Sequence, residues 1–366
     1  MPRHFASLDT PAILVDNRIL QANIERMARH ARECGLEHWP HTKTHKVPQF
    51  AQRQMDAGSP GICVAKLGEA RVMAGAGIEN ILIANHIVGE AKVLALLELV
   101  EHARVSICVD SLDAARPLSA AFGAAGRQLD VLMEIDTGMH RCGRQPGEDA
   151  VELAKRLLDL PGLCLVGVMT YAGLIPGKLS EAELQECARG ECEALTRVAE
   201  DLREVGADIR RISGGSTPRA RFYEPSCGLT EIRPGTYIYN DVNCIDLGAA
   251  SPEDCALTVL ATVISVPSPT RATLDAGSKA LTSDRAKISP GHGRVLEYPG
   301  AVIAQLDEEH AYVDLTGVEG RPAIGEKVRI IPNHVCPVSN LHDRLALIED
   351  EQVVDVLPIA ARGRSQ

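Results

Sequence analysis

The sequence predicts an α/β chain, a (β/α)8 barrel of the TIM type followed by a C-terminal β-rich domain. Three observations predict it. Short, almost continuously apolar segments recur from the His38 region to the Tyr237 region, and amphipathic stretches separate most of them. Strands covered on both faces read this way, and their alternation with helices implies a parallel sheet. Counting gives eight such units over about 200 residues, which fits a closed barrel. Past about Asn243 the long helical stretches stop and short strands alternate with Pro, Gly and Asp turns, as in a small barrel or sandwich.

In order, Ala12 to Asp16 reads as a short strand, and Asp16 or Asn17 can cap an amphipathic helix running to about Cys34, before Gly35. The barrel strands then follow at HWP, GICVAK, ILIAN, VSICVD, DVLMEID, LCLVGVMTY, IRRIS and IRPGTYIYN. The β-rich part carries LTVLATVISVPS, RATLDAG, GAVIAQLDEEHAYVDLT, EKVRIIPN and RLALIED. The expected division is a barrel over 17–243 and a β-rich domain over 1–16 plus 244–366.

Composition narrows the function. Of 366 residues, 45% are hydrophobic and 24% charged, so the chain can bury a large core and has no disordered tract. A net charge of −11 without a basic stripe excludes nucleic acid as a partner. No apolar run reaches membrane-spanning length, and MPRHFASLDTPA lacks a signal-peptide core, so a cytoplasmic protein is expected. The eleven cysteines are odd in number and scattered, as at Cys34, Cys63, Cys108, Cys164 and Cys255, which implies reduced thiols rather than a disulfide framework.

The stretch HWPHTKTHK carries the first chemistry. Pro40 biases Trp39 to an extended conformation and ends the strand, so a lysine is delivered at its C-terminal end. An amine desolvated in a barrel mouth is a nucleophile toward an aldehyde, the requirement for a Schiff base. Lys43 and Lys46 are both candidates. Active sites of such barrels lie at the strand C-termini, so Lys43, Lys66, Asn85, Asp110, Arg141, Tyr171 and Ser216 are expected at one mouth. In ISGGST, consecutive amides stand beside two hydroxyls, a set suited to a phosphate. Arg141, in EIDTGMHRCG, either donates to a ligand or pairs with a barrel carboxylate such as Asp136. His334 and Cys336 are spaced i, i+2 after EKVRIIPN; in an extended segment they share a side and together favour Zn²⁺.

The ordered set PHTKTHK, EIDTGMHRCG, ISGGST and PNHVC, with SNLHD downstream, resembles the D-threonine aldolase and D-serine dehydratase family over nearly the whole chain. These are fold-type III pyridoxal phosphate (PLP) enzymes, related to alanine racemase in the barrel. The resemblance implies Lys43 as the Schiff-base lysine and Arg141 as a donor to the cofactor's phenolic oxygen. It sets Tyr171 beside the pyridine ring, Gly214, Gly215, Ser216 and Thr217 at the phosphate, and Tyr237 among the cofactor-binding residues. Whether Tyr171 or Arg233 faces the pyridine nitrogen stays open. It implies a divalent metal on His334 and Cys336, Zn²⁺ first and Mn²⁺ or Mg²⁺ as alternatives. It also places the N-terminal strand in the β-rich domain and implies a homodimer. DAGSKALTSD matches a family segment without an assigned role.

Dehydratase-like members of the family carry Cys where D-threonine aldolases carry Asp, so Cys336 favours dehydration of a β-hydroxy D-amino acid such as D-serine, D-threonine or D-3-hydroxyaspartate. Retro-aldol cleavage is the alternative. Aldolases commonly offer a loop histidine after the Tyr171 equivalent, and AGLIPGKLSEAE has none; the C-terminal IAARGRSQ nevertheless looks close to the aldolases. Racemisation needs a second base, for which only Tyr298 and Tyr312 are available. A non-catalytic PLP carrier would lack the β-domain and metal motif. His86, His140 and Lys178 are candidates for reading an acidic substrate side chain.

Overall fold

The computed structural model describes residues 3–173 and 180–366. Eight parallel strands form one sheet: Glu37–His38, Ile62–Val64, Asn80–Ile83, Arg104–Val109, Leu129–Glu134, Leu163–Met169, Arg211–Gly214 and Glu231–Ile232. From the second to the eighth each pairs with its neighbour in sequence, and the eighth pairs with the first. The first and second strands meet through a parallel bridge between His41 and Cys63, with the Cys63 amide donating to the Pro40 carbonyl at 2.9 Å. The curled sheet therefore closes where the lysine turn begins.

Trp39 explains its own presence. Its ring is buried with Cys63, Leu82, Cys108 and Leu132 from the second to fifth strands and Val166 and Met169 from the sixth, filling the barrel interior. The Arg211 guanidinium lies 4.3 Å from the ring centroid and pairs with Glu231 at 2.7 Å. Gly61 is required beside it, since a Cβ there would stand 2.6 Å from the indole.

A second sheet of ten strands is mostly antiparallel. Its strand Ala12–Asp16 pairs antiparallel with Leu257–Ser268 and parallel with Arg344–Glu349. Asp16 then caps the helix Asn17–Glu33, its carboxylate accepting from the Arg18 and Ile19 amides at 2.9 and 3.0 Å. Leu20 and Ile24 on that helix pack into the core of the ten-stranded sheet. The eleven cysteines are free.

One local expectation is corrected. His334 and Cys336 do not lie on an extended segment: the strand Lys327–Ile331 ends before Pro332, and His334 is the N-cap of the helix Val335–Leu341. The buried Asp241 carboxylate accepts from the Val335 amide at 3.2 Å and so fixes this helix start.

Candidate active site

The lysine turn opens the site. After the strand ends at His38, Thr42–Thr44 form a single 3-10 turn, and Lys43 projects into a cavity of about 730 Å³. Its Nζ lies 5.3 Å from the centroid of the Tyr171 ring, and the Arg141 guanidinium lies 5.2 Å from the same centroid. Lys46 is differently placed: its ammonium pairs with the buried Glu69, whose other oxygen accepts from the Ala65 amide at 2.7 Å and the Lys66 amide at 3.2 Å. Lys43 thus has the free amine of the two. The three histidines of the stretch are held neutral. Burial lowers His38 to about 3 and His45 to about 4, and burial with the charges of Lys43 and Arg233 pushes His41 well down.

Arg141 does not pair with Asp136. That carboxylate accepts from the His140 ring and from the Gly138 and His140 amides. Burial opposes ionisation of Asp136, but these bonds outweigh it and bring its pKa down to about 2. Arg141 instead lies 3.8 Å from Glu134, at the end of the fifth strand. His86 stands between Glu134, at 3.5 Å, and Asp110, at 3.4 Å. Asp110 accepts in turn from the Gly143 amide at 3.1 Å, so three strand ends converge on the loop carrying Arg141. Gly143 suits this crossing: its φ is +100°, and a Cβ would meet the Asp136 amide at 2.7 Å. Of the residues expected at one mouth, Lys43, Lys66, Asn85, Arg141, Tyr171 and Ser216 line the cavity, and Asp110 reaches it through His86.

The ISGGST run is more divided than its sequence implies. Gly214 ends the seventh strand and is not among the lining residues, whereas Gly215, Ser216 and Thr217 are. The Gly215 amide is already taken, donating at 2.6 Å to Glu191 from the helix Glu181–Glu204. Glu191 also pairs with the buried Arg219 at 2.6 Å. What faces the cavity is the turn into the short helix Thr217–Ala220, where the Ser216 and Thr217 amides have no acceptor among the described residues; Pro218 has no N–H, and the Arg219 and Ala220 amides donate to the Ser216 carbonyl at 3.1 and 2.9 Å. Tyr237 departs from its expected role. Its side chain turns away from the cavity, packs against the His38 ring at 5.1 Å and accepts at its hydroxyl from Gln54 at 2.7 Å. Only its amide contributes, donating to the Thr217 hydroxyl at 3.0 Å.

The His334 helix enters the same cavity from the second sheet. Asp284 accepts from His334 Nδ1 at 2.8 Å, which leaves Nε2 for another ligand. Cys336 Sγ stands 3.3 Å from the Thr44 hydroxyl on the lysine turn. Burial pushes the Cys336 thiol up, but His334 and Lys43 outweigh it and hold the thiol below its usual range. Burial opposes protonation of His334, while Cys336, Asp284 and Asp241 raise it to about 9. An imidazole backed by a carboxylate beside an easily ionised thiol is a donor set that fits a divalent metal. The rest of the cavity fits PLP: a free amine, a guanidinium and an aromatic ring together, with the Ser216 and Thr217 amides for a phosphate.

Asp284, Asp241, Glu191, Glu134 and the Lys46–Glu69 pair were not singled out in the sequence. Asp284 had a signal, since it ends the DAGSKALTSD segment. Of the three side-chain readers, His86 lines the cavity, His140 is exposed and bonded to Asp136, and Lys178 lies outside the described residues. The Tyr298 and Tyr312 hydroxyls donate to Glu326 and Asp307 at 2.7 and 2.6 Å.

Residues 15–242 match the alanine racemase N-terminal domain family and residues 256–348 a serine dehydratase domain family. The chain is 36% identical to a D-threonine aldolase of Arthrobacter sp., over 99% of this chain and 94% of that protein. It is 34% identical to a D-threo-3-hydroxyaspartate dehydratase of Delftia sp. (strain HT23), over 90% and 91%. The crystal structure of D-threonine aldolase from Filomicrobium marinum superposes with a TM-score of 0.91 at 33% identity, covering 100% of this chain and 98% of that one. A cysteine-to-alanine mutant of a D-threo-3-hydroxyaspartate dehydratase, solved in the metal-free form, superposes with a TM-score of 0.89 at 31% identity, covering 97% and 98%. With this barrel, this second sheet and matches across both, the chain belongs to the D-threonine aldolase and D-serine dehydratase family of fold-type III pyridoxal phosphate lyases.

Proposed function

We propose that the protein is a metal-dependent dehydratase of β-hydroxy D-amino acids, acting on D-serine, D-threonine or D-3-hydroxyaspartate. The observation that carries this reading is the pair His334 and Cys336, imidazole and thiol on one helix start, facing the lysine turn through Thr44. PLP supplies an electron sink at the α-carbon, and a divalent metal, Zn²⁺ before Mn²⁺ or Mg²⁺ because of the thiol, supplies positive charge at the β-oxygen.

The chain's own groups do the rest. Lys43 Nζ takes the α-proton, and Tyr171 and Arg141 fix the plane in which it acts. Ser216 and Thr217 would hold the cofactor's phosphate, and Arg141 its phenolic oxygen. His334 and Cys336 would hold the metal, with Asp284 fixing the imidazole. The α-hydrogen and β-hydroxyl leave as water, and the resulting enamine hydrolyses to a 2-oxo acid and ammonia. On the family's pattern we infer a cytoplasmic homodimer, with a catalytic barrel over 17–243 and a β-rich unit over 1–16 and 244–366.

Incubating the PLP- and metal-loaded protein with D-threonine tests this. 2-Oxobutanoate and ammonia, lost on chelation, are expected; Lys43→Ala should lose both product and the absorbance of lysine-bound cofactor. Glycine with acetaldehyde would overturn dehydration. It would establish the aldolase reading, which the 36% identity to a D-threonine aldolase favours.

A further inference from the structure

One edge of the cavity is unused by the reaction as derived. Lys66 follows the second barrel strand, Ile62–Val64, and precedes the helix Leu67–Gly75. It lines the same cavity as Lys43 and Cys336. Glu69, the acid closest to it in sequence, is spent: one oxygen takes the Lys46 ammonium and the other the Ala65 and Lys66 amides. Among the described residues no carboxylate forms an ion pair with the Lys66 side chain.

The IAARGRSQ segment covers this edge. The Ala361 amide donates to the Lys46 carbonyl at 3.0 Å, the Gly68 amide to the Gln366 carbonyl at 3.0 Å, and the Gly363 amide to the Asn340 side chain at 2.8 Å. A Cβ at residue 68 would come within 3.3 Å of Arg364, so the glycine permits the approach. These ties tether the end of the metal helix, at Asn340, to the start of the helix after Lys66, and they set Ser365 into the cavity wall.

A partly buried lysine without a counter-charge, on the wall of a cavity, favours an anion. Its place says which one. The β-oxygen belongs near His334 and Cys336, and Cys336 touches Thr44 of the lysine turn. The β-carbon then lies between that turn and the metal helix, and the wall continuing from the turn is Lys46–Glu69 and then Lys66. We propose that Lys66, with Ser365 on the same cavity wall, is the subsite for a carboxylate on the substrate's β-carbon, so that 3-hydroxy-D-aspartate is preferred over D-threonine. This rests on the lyase reading above.

The test uses ligands that carry no β-hydroxyl, so it reads the subsite even where the lyase reading fails. D-Aspartate and D-2-aminobutyrate are titrated into PLP- and metal-loaded protein, and the cofactor absorbance gives each Kd. The native protein should bind D-aspartate more tightly. Lys66→Met should weaken D-aspartate by about ten- to a hundredfold, the loss of one charge-assisted hydrogen bond, and leave D-2-aminobutyrate unchanged. Lys66→Arg should keep part of the preference, and Ser365→Ala should lower it without abolishing it. Equal weakening of both ligands by Lys66→Met would put Lys66 on the α-carboxylate and overturn the proposal, as would no change in either.

Discussion

Glu191→Ala tests how the phosphate side of the site is held. Glu191 and Arg219 are 4% and 5% exposed and joined at 2.6 Å, and the second Glu191 oxygen accepts from the Gly215 amide at 2.6 Å. Removing the carboxylate strands a buried guanidinium, at about 3–5 kcal/mol, and a buried amide, at about 1–3 kcal/mol. The Ala172 carbonyl, 3.3 Å from Arg219, relieves part of this, so a total of about 4–6 kcal/mol is expected. At about 2.1 cal/mol/K per residue this lowers Tm by roughly 5–8 °C, and PLP affinity falls because Ser216 follows the loosened Gly215. Calorimetric melts with and without PLP, and titration of the apoprotein with PLP, measure both. Glu191→Leu combined with Arg219→Met should regain most of the stability, since no buried charge remains, yet not the affinity, since the Gly215 amide is still unbonded. A Tm drop under about 1 °C for Glu191→Ala, or a double variant no more stable than the single, would refute the reasoning.

Two further outcomes follow from the same geometry. Asp284→Ala should weaken metal binding by about 10- to 100-fold, as for other carboxylates that orient a metal-binding histidine; competition against a chromophoric chelator measures it, and an unchanged affinity would remove Asp284 from the site. His38 and His45 have folded pKa values depressed from 6.5 to about 3 and about 4, so their contribution is present above about pH 6.5 and lost as pH falls toward 4. The unfolded chain binds both protons first, which removes about 4 kcal/mol by pH 5. Urea midpoints at pH 6.5 and pH 5 should show this together with the like contribution of His41, and the loss should be about 2 kcal/mol smaller in His45→Gln; a flat midpoint across the window would refute it.

What could be read from the sequence was what is encoded locally. Almost continuous apolarity marks the barrel strands, the Asp16 cap marks the first long helix, and the crowding of Lys, His and Pro around Lys43 marks the turn that enters the cavity. The errors came where one local rule was carried across a boundary. The alternation of EKVRIIPN was extended through Pro332 and Asn333 to His334, where the chain starts a helix. Tyr237 was placed by its neighbours in the motif, although its hydroxyl is claimed by Gln54, 183 residues earlier.

Several residues that escaped sequence reading share a physical role, and it bears on which of the cavity lysines keeps a free amine. They are acids brought onto cations in and around the cavity from 20 or more residues away: Glu69 onto Lys46, Glu191 onto Arg219 and Glu231 onto Arg211. No motif spacing reveals these pairs, because each joins residues that are neighbours only once the barrel closes; Glu134 and Arg141, which share one motif, are the exception. Their effect is selective. A buried ammonium held by a carboxylate is a poor nucleophile and a poor anion receptor, so Lys46 is removed from both tasks. Lys43 and Lys66 are the cavity lysines left without an acid partner among the described residues. On the proposed function, chemistry at the α-carbon falls to the one beside Tyr171, and on the proposed subsite, recognition of an anionic substituent falls to Lys66.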